Sequence, residues 1–216
     1  MIISEQKPFD SIIDIIQKGS VFIIGCNECA ALCHVGGEPE VLEMEKKLIE
    51  SNINVTGWIV LDPACHLLNN KRLFKSVNKE IDDADHLLVL SCGNGVQVIE
   101  QLYPDKHIIS GTNTLFVGAE INRGIFEREC NLCGSCIVDD FEGLCPISHC
   151  PKQLMNGPCG GSMDGKCEIN RDFNCIWDEI INKKNKLKKT DSLMNLFPPK
   201  DWTSYKKYQW RDHHKL

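Results

Sequence analysis

Apolar and polar positions alternate in blocks along the first half of the chain. Short apolar runs of strand length are separated by stretches whose apolar side chains recur at helical spacing. The elements predicted from this pattern, in chain order, are helix 8–19, strand 21–25, helix 39–50, strand 55–61, helix 70–83, strand 86–90, helix 96–102 and, beginning at 107–109, a fourth strand or an extended segment. Strands that alternate with helices predict an α/β fold with a doubly wound parallel sheet.

The pattern changes at about residue 112. Residues 112–129 are predicted to be mostly helical or irregular, and residues 130–175 are broken by Cys-Pro and Gly-Pro turn signals. This second segment has too little apolar content for a conventional core, so a bound metal is expected to organise it. The predicted domains are therefore an α/β domain (1–111), a cysteine-rich metal-binding domain (112–182) and an extended basic and aromatic docking tail (183–216).

The thirteen cysteines of the chain fall into two ordered sets. The first set begins with a Cys-x2-Cys-x3-Cys loop and the second with a Cys-x2-Cys-x2-Cys loop, and thiolates at such spacings face a single metal centre. The first set is Cys26, Cys29, Cys33, Cys65 and Cys92; the second is Cys130, Cys133, Cys136, Cys145, Cys150, Cys159, Cys167 and Cys175. Two such sets predict iron–sulfur clusters, at least two of the [4Fe–4S] type, and hence electron transfer.

All cysteines of the first set follow predicted strands, and ligands of doubly wound sheets bind beyond the carboxyl ends of the strands. Cys26, Cys29 and Cys33 would supply three thiolates from one loop. Cys92 is the favoured fourth ligand, because Gly93 and Gly95 would let the backbone approach a cluster and donate N–H groups to its sulfurs. Cys65 is the alternative fourth ligand or a small buried side chain.

The triplet Cys130, Cys133 and Cys136 has the ligand spacing of bacterial ferredoxins, but the following Cys-Pro pairs come too late for a ferredoxin fold. Eight thiolates suffice for two four-ligand centres. The first is predicted to be a cluster at the triplet, and the second is either another cluster or a four-thiolate zinc. Gly160, in the glycine-rich loop 157–161, is predicted to donate its N–H to a cofactor.

Charge is unevenly distributed over the chain, whose formal net charge is −6. Residues 181–216 carry ten Lys or Arg against three Asp, together with Trp202, Tyr205, Tyr208 and Trp210. A basic segment with four aromatics suggests docking, and the acidic remainder would repel nucleic-acid phosphates. A protein partner is therefore predicted rather than nucleic acid, and the lysines of 183–189 are a candidate landing site for an acidic ferredoxin.

Several other classes are excluded or disfavoured by the sequence. No apolar run approaches the about 20 residues that span a bilayer, and the N-terminus lacks the regions of a signal peptide, so we expect a cytoplasmic protein without membrane contact. A reducing cytoplasm and an odd cysteine count disfavour disulfides. Neither a dinucleotide fingerprint nor a phosphate-binding loop is present.

The cysteine-rich segment resembles a known family. The motifs are CNLCGSC (130–136), CPISHCPK (145–152), NGPCGG (156–161), GKCE (165–168) and CIW (175–177). They resemble the cysteine-rich C-terminal domain associated with methylenetetrahydrofolate reductases. Together with the preceding α/β half and its own cysteine loop, residues 20–180 resemble the MetV family, the small iron–sulfur subunits of the two-subunit reductase of acetogenic bacteria.

This resemblance implies a partner and a role. MetV proteins pair with MetF, a flavin-containing (β/α)8 catalytic subunit that reduces 5,10-methylene-tetrahydrofolate to 5-methyl-tetrahydrofolate. The chain would pass electrons from ferredoxin or another donor subunit to that flavin. It would itself be non-catalytic, since a folate-reducing barrel of about 250 residues does not fit in it.

Three rival interpretations of the cysteines remain. The thiolates of a zinc-organised scaffold would all be structural, without any redox role. A radical-SAM enzyme is disfavoured because the first loop has the C-x3-C and C-x2-C spacings in reversed order and lies in a different fold. A thiol-redox role for Cys26 and Cys29 fits less well than a cluster, since five cysteines share one predicted sheet edge.

Overall fold

A computed structural model of the chain describes residues 1–203; the predicted docking residues Tyr205, Tyr208 and Trp210 lie outside this range. The chain divides into two compact units, Met1–Phe126 and a second unit that begins at Glu127. No helix among the described residues is long and apolar enough to cross a membrane.

A four-stranded parallel sheet forms the centre of the first unit. Its strands are β2 (Ser20–Cys26), β3 (Asn54–Leu61), β4 (His86–Leu90) and β5 (His107–Ser110). They lie in the order β3-β2-β4-β5, and each neighbouring pair is parallel. The predicted parallel sheet is thus confirmed, with its four strands within two residues of their predicted bounds.

Both faces of this sheet are covered, because alternate residues of the central strands point to opposite sides. Phe22 and Leu87 pack on one face with Phe74 and Ile99, which come from the region between β3 and β5. The other face packs against the first and third helices; its buried residues are Ile12, Ile16, Val21, Ile23, Val41, Met44, Leu48, Leu88, Leu90 and Ile109. A sheet buried on both faces is what the near-continuous apolar runs of its strands indicate.

Eight helices connect and flank the strands within the described residues. They are α1 (Phe9–Ile16), α2 (Cys29–Leu32), α3 (Glu38–Glu50), α4 (Leu67–Leu73), α5 (Asn78–Asp82), α6 (Gly93–Leu102), α7 (Pro146–His149) and α8 (Ile176–Lys186). The single helix predicted over 70–83 is wrong, since a 3-10 turn at Phe74–Ser76 separates α4 from α5. The Ser76 hydroxyl bonds to the Leu73 carbonyl (2.8 Å), and Val77 then leaves the helical conformation.

A second sheet, which the sequence pattern did not predict, contains the start of the chain. Its strands are β1 (Ile2–Gln6), β6 (Thr112–Asn122) and β7 (Ile125–Cys130), in the order β1-β6-β7. The prediction of a helical or irregular segment over 112–129 is therefore wrong. β6 is largely exposed along its second half, so its side chains show no clear period of two in hydrophobicity.

The second unit has a small hydrophobic core and little regular structure. Phe141, Ile176, Trp177 and Ile180 are its buried members, and the Phe141 and Trp177 rings meet edge to face with centroids 5.5 Å apart. Besides the end of β7, α7 and α8, its described regular elements are two 3-10 turns, Val138–Phe141 and Thr190–Met194. So small a core agrees with the expectation that the cysteines contribute to its stability.

A buried lysine holds the segment after α8 in place. The Lys184 ammonium is 2% exposed and donates to the Asp140 carbonyl (2.7 Å) and the Ser192 hydroxyl (2.6 Å). Lys189 pairs with Glu142 at 2.9 Å. These two lysines are therefore used within the unit, which weakens the prediction that residues 183–189 as a whole form a landing site for ferredoxin.

Replacement of this lysine is expected to destabilise the second unit. Lys184→Met keeps the apolar stem but removes two charge-assisted hydrogen bonds, and we expect it to lower the free energy of unfolding by about 2 kcal/mol. The exposed Lys186 is the matched control, and Lys186→Met should change that free energy by less than about 0.5 kcal/mol. Denaturant unfolding measures the free energy of unfolding of both variants. An equal loss in both would show that the buried ammonium of Lys184 does not stabilise the unit.

Candidate metal centres

The first cysteine loop begins where β2 ends, at the point where the strand order reverses. From β2 the chain runs outward to β3 on one side and later to β4 on the other, so the carboxyl ends of β2 and β4 flank a topological switch point. Cys26 is the last residue of β2, and Cys92 lies two residues beyond β4. Cys26 is 6% exposed, whereas Cys29, Cys33 and Cys92 are half-buried and Cys65 is exposed.

Gly36 closes the cysteine loop onto the end of β4. The Gly36 carbonyl accepts the N–H of Cys26 at 2.7 Å, so the loop returns to its own start. A Cβ atom at Gly36 would collide with the carbonyl oxygen of Leu90 and lie 3.0 Å from the Ala30 Cβ. Only glycine allows the loop to lie this close to the sheet.

An alanine at this position is expected to displace the loop. Because the obstacle is backbone rather than a flexible side chain, we expect Gly36→Ala to cost about 3 kcal/mol of unfolding free energy. Gly93→Ala is the matched control, since its Cβ would meet its nearest neighbour, the Thr114 hydroxyl oxygen, at 3.5 Å. Denaturant unfolding followed by hydrogen exchange in β2 and β4 measures both; a Gly36→Ala protein as stable as wild type would contradict this packing.

The loop that carries Cys65 is held by the helix after it. The fully buried Asn70 donates its side-chain N–H to the Ala64 carbonyl at 2.7 Å. The His66 Nδ1 accepts the N–H of Asn69 at 3.1 Å and caps α4. These two bonds fix the backbone on both sides of Cys65.

Cys92 is the N-cap residue of α6, and hydroxyl groups of β6 fix its surroundings. The Thr112 hydroxyl donates to the carbonyl of Ser91, and the Thr114 hydroxyl oxygen accepts the N–H of Gly93 at 2.8 Å. The Gly93 N–H predicted to serve a cofactor is therefore already bonded within the protein. Gly95 has a packing role, since a Cβ there would meet the Ser91 hydroxyl and lie 3.0 Å from Ala64 Cβ.

The five thiols of the first set lie close enough to influence one another. Burial raises the pKa of the Cys33 thiol, and the negative charges of Cys29 and Cys92 raise it further. The pKa of Cys65 is also raised, by partial removal of its sulfur from water and by repulsion from Cys92, Cys26 and Cys29, although the residue as a whole is exposed. The five cysteines are carried by the end of β2 and by the loops after β2, β3 and β4, at one edge of the parallel sheet.

Strand β1 adds a contact to this site that sequence reasoning missed. The Cys33 sulfur donates a long hydrogen bond to the Ile2 carbonyl (3.8 Å) and accepts the backbone N–H of Ser4, which lowers the thiol pKa. The C=O of Ile2 and the N–H of Ser4 lie on the same edge of β1, since they belong to residues i and i+2 of a strand. The sequence signal for strand β1 was the pair of isoleucines at positions 2 and 3. Two apolar residues are too few for periodicity to distinguish a strand from a helix.

Four cysteines of the second set line one cavity in the second unit. They are Cys150, Cys159, Cys167 and Cys175, and His149 and Trp177 complete the wall beside them. Backbone bonds from the Cys167 N–H to Phe173 (3.0 Å) and from the Cys175 N–H to Gly165 (2.7 Å) fold the 163–175 segment back on itself. Four of the eight later cysteines thus share one cavity.

The other group contains the triplet loop and Cys145. The Leu132 N–H points to the Cys130 sulfur (3.3 Å), with Leu132 at φ 53° and Gly134 at φ 77°. The Asn131 side chain donates to the Ile147 carbonyl (3.0 Å) and so ties the triplet loop to α7, which directly follows Cys145. Cys130 and Cys136 are exposed, and Cys133 and Cys145 are half-buried.

Gly160 allows a similar turn at Cys159. Its φ of +77° favours glycine, and after it the N–H of Gly161 points to the Cys159 sulfur at 3.4 Å. The donor to sulfur is thus Gly161 rather than the predicted Gly160, which makes the turn possible. An N–H directed at a sulfur two residues earlier, here and at Cys130, stabilises thiolate character.

His149 lies between the two cysteine groups of the second unit. Its Nδ1 is 3.1 Å from the Cys145 carbonyl, and its Nε2 is 3.4 Å from a Glu129 carboxylate oxygen. Both ring nitrogens therefore contact protein groups, so the ring is not poised to ligate a metal in this arrangement.

A compact site for one metal ion is a different arrangement from a cluster site. Around one zinc the sulfurs are about 2.3 Å from the metal and so about 4 Å from one another. In a cubane each thiolate binds its own iron, so the thiolates stand further apart. Among residues 1–203, no group of three or more His, Cys, Asp or Glu side chains stands in an arrangement that could hold a metal ion.

Comparison with known proteins gives a family for the C-terminal part. Residues 109–203 match the family model described as "Methylene-tetrahydrofolate reductase C terminal". No curated protein and no solved structure gives a significant match to the chain. The match covers the motifs on which the predicted resemblance was based, and residues 109–203 are therefore related to the methylene-tetrahydrofolate reductase C-terminal family.

Proposed function

We propose that the chain is a MetV-type electron-transfer subunit of a methylenetetrahydrofolate reductase. It would pass electrons from ferredoxin or another donor subunit to the flavin of a MetF-type catalytic partner, which would reduce 5,10-methylene-tetrahydrofolate. The observation that carries the proposal is that five cysteines, at the end of β2 and in the loops after β2, β3 and β4, lie along one edge of a doubly wound parallel sheet. The family match over residues 109–203 supports the association with such a reductase.

We assign three groups of thiolates to metal binding. In the first unit Cys26, Cys29 and Cys33 would act with Cys92, and in the second Cys130, Cys133 and Cys136 would act with Cys145. The third group is the four cysteines of the cavity. Bound iron–sulfur clusters would supply one-electron transfer, which a flavin can combine into two-electron reduction.

The residues around the first group are suited to holding such a centre. Burial on the sheet side excludes water from Cys26, and the Ser4 N–H donates to the Cys33 sulfur. The loop backbone is fixed by Gly36, Asn70 and Thr112 through the contacts described above. Thiolate ligands and N–H donors on a rigid frame are the means by which proteins hold clusters and set their potentials.

The first experiment is metal and sulfide analysis of the full chain purified without oxygen, with EPR after dithionite reduction. We expect about eight or more irons per chain and cubane signals. Reduced protein mixed with a flavin-loaded MetF-type subunit should then reduce the flavin, whereas the same protein stripped of iron should not. Zinc without iron or sulfide would overturn the proposal and favour a zinc-organised scaffold.

A further inference from the structure

The Ser4 hydroxyl is buried beside the first cysteine group. Ser4 is 6% exposed, and within the part of the chain that the structure describes its side-chain oxygen has no hydrogen-bond partner. Buried hydroxyl groups are nearly always hydrogen-bonded, because removal from water without a partner costs free energy. The site around Ser4 should therefore contain an acceptor that is not a protein group.

Two contacts put Ser4 near Cys33 and near the residue after Cys92. The Cys33 sulfur donates a long hydrogen bond (3.8 Å) to the carbonyl of Ile2, which lies two residues before Ser4 in β1. Across the ladder, Ser4 pairs with Thr114 of β6, and residues directly opposite in an antiparallel pair place their side chains on the same face. The Thr114 hydroxyl oxygen accepts the N–H of Gly93 at 2.8 Å, so this face is turned towards the residue after Cys92.

We propose that the Ser4 hydroxyl donates a hydrogen bond to a sulfur of the cluster held by Cys33 and Cys92, and thereby raises its reduction potential. The proposal rests on the proposed function, since it requires that cluster. Reduction adds negative charge to the cluster, and a donor directed at one of its sulfurs stabilises the reduced form more than the oxidised form. Ser4 is thus a positioning residue that tunes the centre without ligating it.

The test is a redox titration of the full chain, followed by EPR under anaerobic conditions. Ser4→Ala should lower the midpoint potential, so that the ratio of oxidised to reduced cluster at a fixed potential rises by about three- to tenfold, where tenfold is 59 mV for one electron. Ser4→Thr retains the hydroxyl and should keep the wild-type potential. Ser11→Ala is the matched control, because the Ser11 hydroxyl bonds to the Pro8 carbonyl (2.7 Å) at the start of α1.

A second measurement detects the proposed hydrogen bond itself. Electron–nuclear double resonance of the reduced wild-type cluster should show a strongly coupled proton that exchanges in D2O and is missing in Ser4→Ala. An unchanged potential and an unchanged proton signal in a cluster-loaded Ser4→Ala protein would overturn the Ser4 assignment alone. Wild-type protein that holds zinc without iron would overturn both this proposal and the proposed function.

Discussion

Cys167→Ser is expected to unfold most of the second unit while the first unit stays intact. The reason is the size of the hydrophobic core, in which four residues are buried. A structural metal contributes about 10–16 kcal/mol in small domains, which is comparable to or larger than the about 5–15 kcal/mol that keeps a whole domain folded. Loss of one of the four cavity thiolates should therefore remove most of the stability of this unit.

Hydrogen exchange of the full chain measures this effect region by region. In Cys167→Ser the amides of α8 should lose their protection, and those of β2 and β4 should keep theirs. Ser162→Ala is the control in the same segment, because it removes one hydrogen bond to Asp178 (3.2 Å) and should cost about 1 kcal/mol. Native protection of α8 in a Cys167→Ser protein would show that the cavity cysteines are not needed for folding.

Cys92→Ser should remove about four irons per chain and the EPR signal of the first-unit cluster. Cys92 lies two residues beyond β4, the strand next to β2, and Thr112 and Thr114 fix the backbone on both sides of it. Its thiol is half-buried, as expected of a ligand that must be held in one position. The variant should remain folded, because the parallel sheet has its own large core.

Cys65→Ser is the matched comparison for this prediction. Cys65 is exposed, and the protein groups that fix its loop act on Ala64 and His66 rather than on the thiol. We expect its iron and sulfide content to equal that of the wild type. Iron loss in Cys65→Ser with full iron in Cys92→Ser would reverse the assignment of the fourth ligand.

The parallel sheet could be predicted from the sequence because its strands are buried on both faces. Such strands appear as continuous apolar runs, as in 86–90, whose predicted bounds match β4. The prediction of one helix over 70–83 was wrong for a local reason. The Ser76 hydroxyl bonds to the Leu73 carbonyl and so competes with the helical backbone for that acceptor. Strand β6 was not predicted, because little of its surface is buried. Its apolar and polar residues therefore do not alternate with the period of two by which a half-buried strand is recognised.

The candidate sites, like the fold, could be predicted from the sequence only in part. Cysteine spacing predicted a triplet in each half, because residues two or three positions apart share a turn whatever the remaining fold is. Spacing could not show which of the eight later cysteines lie together, whereas the structure shows that Cys150, Cys159, Cys167 and Cys175 line one cavity. Nor could it find Ser4, which reaches the first group through a strand pairing more than a hundred residues apart in sequence.

By itself, then, the sequence determined the α/β class of the first unit, the position of five cysteines at strand ends, and the similarity of the C-terminal motifs to a reductase domain. These features depend on periodicity and spacing within short segments. Hydrophobic burial determines which periodic segments become buried strands and helices, and turn geometry brings closely spaced cysteines together. The tertiary structure alone decided that the strand order reverses between β2 and β4, that the loops carrying Cys33 and Cys92 follow these adjacent strands, and that β1 lies beside Cys33. Those contacts join distant segments, and they depend on which faces and edges pack together rather than on any pattern along the chain.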